Sequence, residues 1–127
     1  MSKILLGLVL VATYALADIK WAKSYEAALS QATKEKKNVM VMLSKEGCPA
    51  CEYMEGVVFE EPVVIDAVNA KFVSLHVDIQ RDKIPVGLGF VGTPTFHFLN
   101  AKGAKLKRHD GGANIPDFMG IINSVKK

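Results

Sequence analysis

Cys48 and Cys51 are the only cysteines in the chain, and they stand three residues apart in the stretch KEGCPACEY. Such a pair can serve as a structural staple, half of a metal site, a haem attachment point or a redox couple. A staple across so short a loop removes little entropy from the unfolded chain. A zinc site needs about four ligands, and the motif supplies two. His76, His97 and His109 lie in separate predicted strands, without the paired spacing of a zinc module. Covalent haem attachment needs a histidine directly after the second cysteine, and position 52 is glutamate.

A redox couple fits the local pattern. Ala50, Tyr53, Met54, Val57 and Val58 recur at helical spacing after Pro49, which predicts a helix that starts at the motif. Proline suits the first helical position, so Cys48 becomes the cap. Residues i and i+3 of a helix are close enough to be bridged there. At the cap, the Cys48 sulfur would face the unpaired N–H groups and the positive end of the helix, which favour the thiolate. The thiolate is the attacking species in disulfide exchange. Cys51, one turn further in, is shielded and suited to resolve the mixed disulfide.

Several elements must hold these two sulfurs. Ser24 is a candidate cap for a helix carrying Tyr25, Ala28, Leu29 and Ala32 at helical spacing, ending near Lys36 and Lys37. Val39 to Leu43 is a continuous apolar run of strand length that leads into the motif. Glu61-Pro62 opens a further helix through Val68, and Phe72 to Ile79 is a second strand. Ile84 to Gly89 has room for a short helical turn. Thr95 to Leu99 is a third strand and Lys105 to His109 a charged edge strand, with a turn at Asn100 to Gly103 between them. Ile115 to Val125 closes the chain as a helix. Helices between the first strands imply parallel crossovers, and the tight turn implies a hairpin. The expected fold is α/β, a mixed four-stranded sheet with helices on both faces.

At 127 residues the chain has room for one core. Its net charge of +3 comes from scattered lysines, which gives no nucleic-acid footprint. The first seventeen residues differ from the rest. Lys3 precedes an apolar run from Ile4 to Thr13, and Ala15-Leu16-Ala17 fits a small-x-small cleavage pattern. This is the composition of a secretory signal peptide, cleaved after Ala17 to leave one domain over residues 18–127. The run is shorter than the ~20 residues of a membrane span. Export places the cysteines where thiols tend to oxidise, and the expected localisation is periplasmic.

The combination of a strand, CPAC, a helix and a later strand opened by Gly92-Thr93-Pro94-Thr95-Phe96 resembles the thioredoxin superfamily. The resemblance is more detailed for exported thioredoxin-like domains, among them the C-terminal periplasmic domain of membrane disulfide reductases. It is carried in detail by Trp21 to Leu43 and by Cys51 to Asp78, and the likeness as a whole covers nearly all of the mature chain. It implies that Pro94 is cis and lies against the active-site disulfide, and that Thr93 touches the disulfide and pairs with substrate backbone. Pro49 and Ala50 complete the support of the two cysteines. No cofactor and no metal are expected beyond the Cys48–Cys51 disulfide itself.

Two positions depart from that pattern. Thioredoxins usually carry a buried acid six residues before the first cysteine and a tryptophan just before it; here these are Met42 and Gly47. Glu55, or failing it Glu52, is the candidate to replace the acid in proton transfer. A solvated helix face is the plain alternative for both. His97, between Phe96 and Phe98, reads as a core histidine; Met40, Met42 and Met54 read as core fillers, and Trp21 as a packing anchor.

The resulting expectation is an exported thiol–disulfide oxidoreductase. Its partners would be exported proteins with disulfides and a membrane electron donor. Ala50, where oxidising relatives often have histidine, favours reduction. Isomerisation or oxidation, and a non-catalytic binding module with a permanently closed disulfide, are the competing readings.

Overall fold

The computed structural model describes Gly7 and residues 18–127. The leader read in residues 1–17 therefore falls outside the described residues, Gly7 apart. The elements in chain order are α1 (Tyr25–Glu35), β1 (Asn38–Ser44), α2 (Pro49–Gly56), a 3-10 turn (Val58–Glu60), α3 (Pro62–Lys71), β2 (Phe72–Asp78), β3 (Thr95–Leu99), β4 (Lys105–Asp110) and α4 (Ile115–Asn123). The strands form one sheet in the order β2-β1-β3-β4. β1 runs parallel to β2 and antiparallel to β3, and β3 runs antiparallel to β4.

Local chemistry explains where each helix starts. The Ser24 hydroxyl accepts the Ala27 N–H at 3.0 Å, and the Asn114 side chain accepts the Asp117 N–H at 2.9 Å. Each satisfies a donor that the first helical turn leaves free. α3 has no side-chain cap and begins with Pro62, whose missing N–H removes one such donor. α1 stops at Lys36, which takes the left-handed conformation with φ 56°.

The side-chain alternation of β1 separates two cores. Met40 and Met42 pack with Met54 of α2, Val64, Ile65 and Val68 of α3, and Phe118 and Ile122 of α4. Val39, Val41 and Leu43 pack on the other face with Ala28 and Ala32 of α1. Helices thus cover both faces, as a central strand that is apolar throughout requires. All three of the methionines read as core fillers are buried, and so is His97. Fully burying one phenylalanine of this core contributes about 2–3 kcal/mol.

The segment before α1 lies along the free edge of β2. Trp21 forms a bridge to Ser74, and the Ala22 N–H donates to the Ser74 carbonyl at 2.7 Å. Asn69 fixes the same segment by donating to the Asp18 carbonyl and accepting the Lys20 N–H. Trp21 itself is 37 % exposed, its ring meeting Phe59 edge-on at 5.8 Å.

Two local expectations need correction. Residues 84–89 hold no helix: Pro85 and Gly87, with φ 85°, make a turn closed by the Leu88 N–H on the Pro85 carbonyl. The apolar stripe assigned to α2 is also shifted. The helix buries Cys51 and Met54, whereas Tyr53 and Val57 are exposed. α2 ends at Gly56, so Val57 lies beyond its last turn while Val58 turns inward in the 3-10 segment.

Candidate active site

β1 delivers the chain to the motif. Gly47, at φ 74°, makes the bend after the strand, a conformation that costs glycine nothing sterically. Cys48 then caps α2, its sulfur accepting the Cys51 N–H at 3.2 Å, and Pro49 occupies the first helical position. The two cysteines are disulfide-bonded, with Cα atoms 5.2 Å apart. Cys48 keeps 7 % of its surface exposed and Cys51 1 %, so both are buried and Cys48 is the more exposed of the two.

The second half of the site comes from the start of β3, the strand next to β1. The Thr93–Pro94 peptide bond is cis. The Thr93 carbonyl oxygen lies 3.4 Å from the Cys48 sulfur. The antiparallel register of Leu43 with Thr95 fixes this approach, because the end of β1 and the start of β3 lie side by side. Cys48, Cys51, Pro49, Ala50, Thr93 and Pro94 are therefore brought to one place.

A third segment, not singled out from sequence as part of the site, borders it. The Gly111 N–H donates to the Pro94 carbonyl at 2.8 Å. A Cβ on Gly112 would lie 3.7 Å from that of Ala50, and the Ala113 N–H points to the Met54 sulfur at 3.4 Å. The Gly111-Gly112 pair marked a break in the chain; its place against Ala50 depends on the fold.

The acids divide. Glu52 is exposed in the first turn of α2, where a negative charge suits the helix N-terminus. Glu46 pairs with Arg81 at 2.7 Å. Glu55 is bonded through Oε1 to Nε2 of His76 at 2.6 Å. Met42 occupies the position of the absent acid and is fully buried. His97 is buried on β3 with Nε2 at 2.7 Å from the Gly89 carbonyl; burial pushes its pKa below the ordinary value, and Arg108 and Lys105 act the same way. Among the described residues, no group of three or more His, Cys, Asp or Glu side chains could hold a metal, so the three histidines form no metal site there. No helix among them is long and apolar enough to cross a membrane.

A four-stranded mixed sheet carrying a cysteine pair at the start of α2, with a cis-proline on the adjacent strand, is the arrangement of a thioredoxin fold. The chain belongs to the thioredoxin-like family whose profile matches residues 20–101. Among solved structures it is similar to a disulphide-isomerase candidate from Bacteroides thetaiotaomicron, with 28 % identity, 89 % of this chain and 100 % of that one covered, and a TM-score of 0.71. It is similar to a thioredoxin from Thermus thermophilus at 27 % identity, covering 84 % and 85 % with a TM-score of 0.68. The DsbD C-terminal domain of Neisseria meningitidis, oxidised form, shares the fold at 17 % identity, covering 77 % and 89 % with a TM-score of 0.63. No curated protein matches the sequence.

Proposed function

We propose that the chain is an exported thiol–disulfide oxidoreductase that reduces disulfides in exported proteins. Residues 1–17 act as a cleaved signal peptide, and residues 18–127 work in the periplasm as one domain. The observation that carries the reading is the position of the Cys48 sulfur. It is the cap of α2, bonded to the Cys51 N–H, with the Thr93 carbonyl beside it.

In the reduced protein the Cys48 thiolate attacks one sulfur of a substrate disulfide. A Cys48–substrate bond forms, and the second substrate sulfur leaves with the electron pair. Cys51, having lost its proton, then attacks Cys48; the internal disulfide forms and the first substrate sulfur leaves as thiolate. The two electrons come from the cysteine pair, so no cofactor enters the step. A membrane donor returns them. Thr93, whose carbonyl lies beside the Cys48 sulfur, pairs with an extended substrate segment. Ala50 offers no cation to hold the Cys48 thiolate further down, which favours reduction over oxidation.

Insulin reduction driven by dithiothreitol tests the activity. The wild type is expected to accelerate precipitation, and Cys48→Ser to abolish the effect. Cys51→Ser should trap substrates as mixed disulfides through Cys48. No acceleration, with a disulfide that resists glutathione, would instead make the chain a binding module. A reduction potential close to that of strong oxidants would reverse the direction.

A further inference from the structure

Lysines that lie scattered in the sequence gather at one end of the fold. β1 and β2 begin there, with Asn38 and Phe72 as register partners, and β3 ends there, with Leu99 opposite Val39. α1 and α3 finish just before these strands begin, and the Asn38 side chain reaches the Lys126 carbonyl beyond α4 at 2.8 Å. Between these ends lies a recess of about 820 Å³. Ala32, Phe72 and Ile122 are buried and form its floor. Lys36, Lys37, Lys71, Lys102 and Lys127 stand around it, and no acid among the described residues lines it. β1 carries the chain ~20 Å from this end to the cysteine motif at the other.

Local structure accounts for only part of this charge. The Lys37 Nζ donates to the Asn69 carbonyl at 2.8 Å and meets Glu35 at 3.3 Å. Lys71 suits the C-terminal end of α3, whose carbonyls favour a cation. Lys102 belongs to the turn between β3 and β4. Lys36 holds left-handed backbone at φ 56°, where glycine is the usual residue. Lys36, Lys71 and Lys102 are exposed and meet no acid among the described residues. Arg81 and Arg108, further along the sheet, are instead paired with Glu46 and Asp110. The start of the described domain lies at the lysine end too: Asn69, held by Lys37, donates to the Asp18 carbonyl at 2.9 Å. The apolar run Ile4 to Thr13 therefore joins the domain on the lysine side.

We propose that this end docks on an anionic phospholipid surface, the headgroup phosphates lying on Lys36, Lys71 and Lys102. An apolar floor inside a cationic rim fits a molecule with a negative head and a hydrocarbon body, and the chain enters the domain from a segment of membrane-seeking composition. Lysines near an anionic membrane attract it over about a Debye length. The choice of a membrane rests on the export reading; the exchange chemistry does not enter. Docked in this way, the domain turns its cysteine end away from the lipid, toward the partners proposed above.

Cosedimentation of the exported protein, its disulfide closed, with vesicles of phosphatidylglycerol and phosphatidylcholine tests the docking. Binding is expected to the mixed vesicles and not to pure phosphatidylcholine, and it should fall away between about 0.05 and 0.5 M salt. Lys36→Gly, Lys71→Gln and Lys102→Gln should each weaken it roughly fivefold, and the triple variant roughly a hundredfold. Glycine takes the left-handed backbone of position 36 without strain, so the urea midpoint of Lys36→Gly should be no lower than that of the wild type. The triple variant should reduce insulin at the wild-type rate. Wild-type binding by the folded triple variant, or equal binding to the neutral vesicles, overturns the proposal. Tighter binding to poly-glutamate than to the mixed vesicles also overturns it and makes an acidic protein the partner. A wild-type protein that docks as described yet fails to reduce insulin overturns the exchange reading and upholds the lipid surface.

Discussion

His97 and Gly89 are joined by a 2.7 Å hydrogen bond between the imidazole Nε2 and the Gly89 carbonyl. The bond links the middle of β3 to the irregular segment that leads to Thr93 and Pro94. Segments without helix or strand need such partners for their backbone groups, and here a buried ring supplies one.

This makes stability sensitive to acid. Burial holds the His97 pKa below its ordinary 6.5, with Arg108 and Lys105 adding to the effect while the Gly89 bond and Asp110 oppose it. The unfolded chain therefore binds the proton at higher pH than the native one. Stability is full above about pH 6.5 and falls as pH drops from there through the native value. His97→Leu should remove that part of the acid limb. It should also cost about 1–3 kcal/mol at pH 8 by leaving the Gly89 carbonyl unpaired. Urea midpoints from pH 5 to 8 measure both.

Gly103 separates a steric from a conformational cost. It sits at φ 84°, and a Cβ there would lie 2.9 Å from the Tyr25 hydroxyl oxygen. Gly103→Ala should lose about 1–2 kcal/mol from the left-handed backbone alone, and more from the clash. In a Tyr25→Phe background the clash is relieved and the backbone cost stays. Urea midpoints of the four proteins distinguish the two; equal losses in both backgrounds would remove the steric part.

Phe118 anchors α4. Its ring centroid lies 5.5 Å from that of Phe59 and 5.3 Å from that of Phe96, and it is fully buried. Phe118→Ala should cost about 3–5 kcal/mol. Val86→Ala, at a site 94 % exposed, should change stability by less than about 0.5 kcal/mol. Thermal melts of the two variants check the contrast.

Arg81 and Glu46 approach to 2.7 Å, yet their side chains are 71 % and 70 % exposed. Solvent screening decides against the short distance. Arg81→Ala should cost less than about 1 kcal/mol, and the loss should shrink further with added salt. A larger loss in a salt titration of the urea midpoint would contradict this.

The strands and the hairpin were legible because each rests on local signals: an apolar run of strand length at Val39–Leu43, alternation at Thr95–Leu99, and a glycine where the turn needs positive φ. The caps at Ser24 and Cys48 were legible for the same reason. The order of the strands was not, since nothing local says that β3 lies beside β1. The α2 stripe was misread because the inward face is taken by Cys51, a residue assigned to chemistry rather than packing. The loop at 84–89 carries helix-compatible apolar residues, but Pro85 and Gly87 fix a turn. His76 was weighed only as a metal ligand. Its bond to Glu55 spans 21 positions and depends on the pairing of β2 with β1, so no spacing in the sequence announces it.

One atom, the Cys48 sulfur, begins the scaffold of α2 and, in the proposed exchange, also changes partners. Folding and redox state therefore meet in a single contact with the Cys51 amide. Serine at position 48 would silence electron transfer yet leave an oxygen for that amide, whereas alanine would strip both and unsettle the first turn by about 1 kcal/mol. On the proposed exchange, inactive forms are thus of two kinds, one with an intact framework and one loosened at the first turn of α2.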